Sequence, residues 1–117
     1  MKYLLLCQTQ PAAFALVPES ARQQIMQSMM SYNQQLIQAG VLLAAGQLSP
    51  PETAQRVYAE NGRIKTREGC AFEGDTQIGG YYLIDVPGEP EATGWAAKCP
   101  VVQFGALEVR QVAFSPV

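Results

Sequence analysis

Histidine is absent from this 117-residue chain, and charge is scarce, with 15% of residues being Asp, Glu, Lys or Arg. Without histidine a cysteine nucleophile lacks its usual base, and Cys70 has only Arg67 nearby to activate it. The three cysteines, Cys7, Cys70 and Cys99, are odd in number and far apart, so a structural zinc set of closely spaced Cys and His ligands is excluded. No basic run interrupts a net charge of −2, which argues against a nucleic-acid surface neutralising several phosphates. No stretch approaches the roughly 20 apolar residues of a membrane span. The leucines before Cys7 fall short of the ~7 to 15 residues of a signal h-region, so a reduced, cytoplasmic protein is expected. Internal repeats and low-complexity tracts are also missing, and Gly79-Gly80 precedes a strand rather than opening a helix, which excludes a phosphate loop.

What remains is an apolar-rich globular chain, 48% hydrophobic, long enough to bury roughly 65% of its unfolded surface as a single domain. Lys2 to Cys7 reads as a buried strand, and residues 8 to 17 as a loop. Ile25, Met29, Tyr32 and Leu36, flanked by Met26, Met30 and Ile37, recur at helical spacing. Ser20 with Gln23 has capping-box spacing and Gly40 suits the C′ stop, which predicts a helix from about 20 to 39. Val41 to Leu48 reads as a second strand. Asn61-Gly62 then predicts a type I′ hairpin that places Arg56 opposite Arg67, Tyr58 opposite Lys65 and Ala59 opposite Ile64. Ile78 to Val86 is a strand apolar on both faces, Pro90 to Cys99 a short helix with Pro90 at N1, and Ala106 to Val112 a half-exposed strand.

This order predicts an α+β, ferredoxin-like sandwich with two helices on one face of a mainly antiparallel sheet. Two helices cover one face, yet Leu4 to Leu6 and Tyr81 to Ile84 send large apolar groups to both. A homodimer packed sheet to sheet is therefore expected, as in dimeric α+β barrels.

Glu68-Gly69-Cys70-Ala71, followed by Glu73, Gln77, Gly79, Gly80, Tyr82, Leu83, Ile84 and Val86, forms a loop-to-strand signature. With Met1-Lys2-Tyr3, Ala39-Gly40-Val41-Leu42, Gly46, Leu48, the Trp95 to Pro100 run and Val109-Arg110, it resembles the YCII-related family, in particular its branch named for an Asp-Gly-Pro-Phe motif. The resemblance spans nearly the whole chain and implies a dimeric ferredoxin-like domain. It also associates the branch with sigma-factor regulation, which implies a protein-interaction module as a third reading. The His and Asp pair that wider relatives are thought to use has no counterpart here, because histidine is missing.

The candidate site residues are Glu68, Glu73, Gln77, Arg56, Arg67, Tyr81 and Arg110. Glu68, Glu73 and Asp75 lie close together on one loop, where paired carboxylates could work as acid and base or simply stand as a solvated acidic loop. Arg56 and Arg67 as cross-strand neighbours call for a bridging carboxylate, Glu52 or Glu68, or a small anion. Tyr81 or Tyr82 could offer a hydroxyl at a dimer seam, and Arg110 with Glu108, on one strand face, could simply pair with Asp85 or Lys2. The leading expectation is non-catalytic or regulatory binding of a small polar or anionic ligand, without a cofactor or metal, in a cleft by residues 68 to 77. A cofactor-independent lyase or isomerase using Glu68 or Glu73 as base is the alternative.

Overall fold

Strict alternation makes Lys2–Thr9 (β1) two-sided: Tyr3, Leu5 and Cys7 are buried while Leu4 and Leu6 are half-buried on the other face. It is central in a four-stranded antiparallel sheet, seen in a computed structural model that describes residues 1–70 and 74–116. The other strands are Leu42–Gln47 (β2), Gln77–Asp85 (β5) and Ala106–Gln111 (β6), in the order β2-β5-β1-β6. Helices Glu19–Gln38 (α2) and Glu89–Lys98 (α3) cross between strands, giving the ferredoxin-like α+β arrangement. Gln55–Glu60 (β3) and Arg63–Glu68 (β4) form a separate two-stranded sheet. Its register is the expected one, turning on Asn61 at φ 51° and Gly62 at φ 76°, both in the left-handed region that a type I′ turn requires.

Local signals misplaced some boundaries. Pro18 stands at the N-cap of α2 and no side chain caps it, so the expected Ser20 box does not form; Pro18 is preset at φ −56°, ψ 148° and its carbonyl accepts from Arg22 N–H at 3.0 Å. Gly88 caps α3, which moves Pro90 from N1 to N2. The segment read as a loop contains a four-residue helix, Pro11–Phe14 (α1), whose Phe14 packs on Phe104 with centroids 5.6 Å apart. The apolar stripe on α2 is wider than its contact: Tyr32 and Leu36 are buried, but Met26, Met30 and Ile37 are more than half exposed. A helix lying on one sheet touches it along a narrow seam, and flanking positions turn to solvent.

The core lies between the sheet and these helices. Leu5, Leu36, Ile84 and Cys99 are fully buried, and Tyr32 meets Tyr82 edge-on at 5.4 Å. Tyr32 donates to the Trp95 carbonyl at 2.7 Å, and Tyr82 donates to the Asn33 side-chain carbonyl. In α3, beside Gly94, Trp95 meets Tyr32 edge-on with centroids 6.4 Å apart and carries Lys98 Nζ 4.9 Å from its ring centroid. Buried Cys7 donates its S–H to Cys99; that hydrogen bond and burial push the Cys7 thiol up, while the same bond, with the Val101 N–H, lowers Cys99.

Burial raises both tyrosine hydroxyls above their ordinary range. Because the folded values are raised, this contribution is complete below the unfolded tyrosine value of about 10 and is lost as pH climbs above it. Urea melts should therefore show stability falling between pH 10 and 11.5 by on the order of 1 kcal/mol per tyrosine, with a smaller fall in Tyr82→Phe. Equal slopes for the two proteins would remove Tyr82 from the alkaline transition.

Candidate functional site

Gly79 and Gly80 create the feature on which the site is built. Gln8 pairs with Ile78 and Cys7 with Gly80, so β5 carries an extra residue, and this bulge turns Ile78 onto the same open face as Leu6. Neither glycine has room to spare: a Cβ on Gly80 would sit 2.9 Å from the Gly46 carbonyl oxygen, and one on Gly79 3.0 Å from Thr9 Oγ1. At Gly80 the β2 backbone makes this close approach, and Gly79 is the bulged residue.

At that end of the sheet the open face sinks into a groove of about 440 Å³, lined by Leu6, Gln8, Thr76, Gln77, Ile78, Glu108 and Arg110. A second depression of about 420 Å³ shares Gln8 and Thr76 with it and continues past Gln10 to Gln103, Phe104 and Gly105. Leu6 and Ile78 supply an apolar floor, while amides, a hydroxyl, a carboxylate and a guanidinium supply polar groups that can fix a ligand's orientation.

Arg110 and Glu108 stand two apart on β6 and therefore point to one face, where they lie opposite Leu4 and Leu6 of β1. Arg110 Nη1 donates to Glu108 Oε2 at 3.3 Å, with the arginine side chain 70% exposed. Such a solvated pair contributes little to stability, and one contact occupies only part of the planar donor fork, which suits a carboxylate or enolate oxygen. Arg110 thus pairs with Glu108; Asp85 instead accepts from the Met1 amine at 2.9 Å. Gln77, which also lines the groove, donates from Nε2 to the Gly74 carbonyl at 3.1 Å.

Of the sequence-predicted residues, the structure brings Gln77 and Arg110 together. Tyr81 is on the same face but leans the other way: its ring covers Gly46 of β2, where a Cβ would meet Tyr81 Cε1 at 2.9 Å, three strand spacings from β6. Glu68, Arg56 and Arg67 lie on the hairpin, outside the groove lining. The Arg56 to Arg67 pairing is as expected, but among the described residues neither Glu52 nor Glu68 bridges it within ion-pair distance. Carboxylates in this part of the chain have other geometry: Glu60 takes Lys65 at 3.6 Å. Glu73 lies outside the described residues. Cys70 is half-buried.

Gln8, Thr76 and Ile78 were not predicted. Their only sequence signal was Gly79-Gly80, since a bulge re-aims the side chains beside it.

Comparison with known proteins follows the geometry. The YCII-related domain matches residues 1–114. A 5-chloro-2-hydroxyhydroquinone dehydrochlorinase from Burkholderia phenoliruptrix AC1100, solved in complex with 2,5-dihydroxybenzoquinone, superposes with a TM-score of 0.57 at 12% identity. The superposition covers 98% of this chain and 96% of that one, and at such identity it is a likeness of fold. No curated protein matches the sequence. Among the described residues no helix is long and apolar enough to cross a membrane.

Proposed function

Because the chain belongs to the YCII-related family, we propose that it is a cytoplasmic homodimer that binds a small polar or anionic ligand in the groove at the bulged end of its sheet. The observation that carries this is that Arg110, Gln8 and Gln77 line one groove with Leu6 and Ile78. An apolar floor with one cation at its rim accommodates a flat, oxygen-edged anion, and the fold's similarity to a protein that binds 2,5-dihydroxybenzoquinone makes that compound the natural probe. The role is holding rather than turnover, since the one carboxylate among the described lining residues, Glu108, is engaged by Arg110. Free, buried Cys7 and Cys99 suit a reducing compartment. The dimer is favoured by Leu4, Leu6, Tyr81 and Leu83, which stay half-exposed on the face opposite the helices.

Calorimetric titration with 2,5-dihydroxybenzoquinone tests the ligand reading. Arg110→Ala should weaken binding at least tenfold, while Arg56→Ala leaves it unchanged. An Arg110→Ala protein that binds as tightly as the parent, or a parent that takes up no probe at millimolar concentration, removes the groove as the site.

A further inference from the structure

Among the described residues no other helix or strand packs closely on the β3–β4 hairpin, which stands out as an arm. All twelve strand residues are exposed, with Val57 at 68% and Ile64 at 74%. The register places Val57, Ala59, Ile64 and Thr66 on one face, so the exposed apolar groups form a patch rather than scattered points. A two-stranded hairpin is at best marginally stable in water, and it needs a surface to lie on. The arm also extends the molecule: the radius of gyration is 16.2 Å, against about 13 Å for a compact domain of this length.

Charge identifies what covers it. Half of the chain's eight cations, Arg56, Arg63, Lys65 and Arg67, stand on the arm's other face. With Glu60 and Glu68 the arm, residues 55–68, is net +2, so the remainder of a chain of net −2 is net −4. A cationic arm on an acidic body is complementary to a second copy of the same chain. Six-residue strands reach about 20 Å, enough to cross a four-stranded sheet. The arm is rooted at the groove end of the sheet, where Leu48 N–H donates to the Gly79 carbonyl at 2.9 Å and Gly69 N–H to the Ala54 carbonyl at 2.9 Å.

We infer that the β3–β4 hairpin is an exchanged arm: each copy lays its Val57 and Ile64 face against the body of the other, beside the open sheet face. A two-fold axis makes the exchange reciprocal and closed. Arg56 and Arg67, on the arm's opposite face, stay toward solvent, and the arm's net +2 acts on the partner's acidic body across the thickness of the hairpin, about one Debye length. This rests on the dimer proposed above.

The full chain with Ile64→p-benzoylphenylalanine, irradiated as a mixture of isotope-labelled and unlabelled copies, tests it together with light scattering. The expected product has twice the chain mass and joins residue 64 of one isotopic form to body residues of the other. Val57→Asp with Ile64→Asp should raise the dimer dissociation constant at least tenfold, and added salt should raise the parent's. Cross-links confined to one chain, or a dissociation constant within twofold of the parent's, overturn the arm while leaving the dimer standing. A monomeric parent overturns both. Co-purifying nucleic acid that disappears in the variant with no change in mass would assign the cations elsewhere and also overturn the arm.

Discussion

Ile84→Ala should lower the free energy of unfolding by about 3 to 4 kcal/mol, in the range seen when a large aliphatic side chain is truncated in a closed core. Ile84 is fully buried, paired with Tyr3 on one side and Leu42 on the other, on the face that carries the helices. The strands beneath it cannot collapse into the space because their ladders hold them about 4.8 Å apart. Against a total stability of about 5 to 15 kcal/mol, this is a large fraction. Leu83, its chain neighbour, points to the open face and is half-exposed. Leu83→Ala in dilute protein, where any dimer has dissociated, should therefore cost no more than about 1 to 2 kcal/mol. Equal losses in urea melts at low protein concentration would mean that the two faces are equally dry, and the single-sided core described above would be wrong.

Gly105→Ala is the second large effect, and its origin is room rather than conformation. An added Cβ would lie 2.2 Å from the Gln8 carbonyl oxygen and 3.3 Å from its carbon. Both are backbone atoms of β1, so no side chain can swing away, and Gly105 is itself held by its N–H to the Val101 carbonyl at 2.7 Å. The bend before β6 must part from β1, at a cost of about 2 to 3 kcal/mol. Gln8 lines both depressions, so the displacement should also weaken 2,5-dihydroxybenzoquinone binding if the groove is the site. The same replacement at Gly94 meets nothing within 4 Å and lies within α3. There it should stabilise by up to about 1 kcal/mol. Opposite signs for one chemical change separate close packing from helix propensity; a Gly105→Ala protein as stable as its parent would refute the contact.

The legible parts of the chain were those decided locally. Alternation in Leu4 to Leu6 and Tyr81 to Ile84 announced a sheet with two apolar faces, and Asn61-Gly62 specified every pair of the hairpin because both central residues tolerate positive φ. Gly40 ended α2 at φ 71° for the same reason. Capping was less legible: Ser20 and Pro18 compete for the same turn, and the preset backbone of proline won. Of the described groove lining, Gln77 and Arg110 were named from the sequence. Carboxylates near each other in sequence, such as Glu68 and Asp75, drew attention to a loop, but Glu68 ends an exposed arm strand.

By itself the sequence determined the α+β order, the absence of histidine chemistry, the hairpin register and the two-sidedness of the central strands, because each depends on residue type and spacing of a few positions. Only the tertiary structure decided that the hairpin forms its own sheet away from the body, and that Gln8, Gln77 and Arg110 share a groove. Bringing β1 beside β6 joins residues about a hundred positions apart, and a one-residue change of register would turn every side chain to the opposite face. That register is set by the collective burial of Tyr3, Leu5, Leu36 and Ile84, which no local pattern encodes.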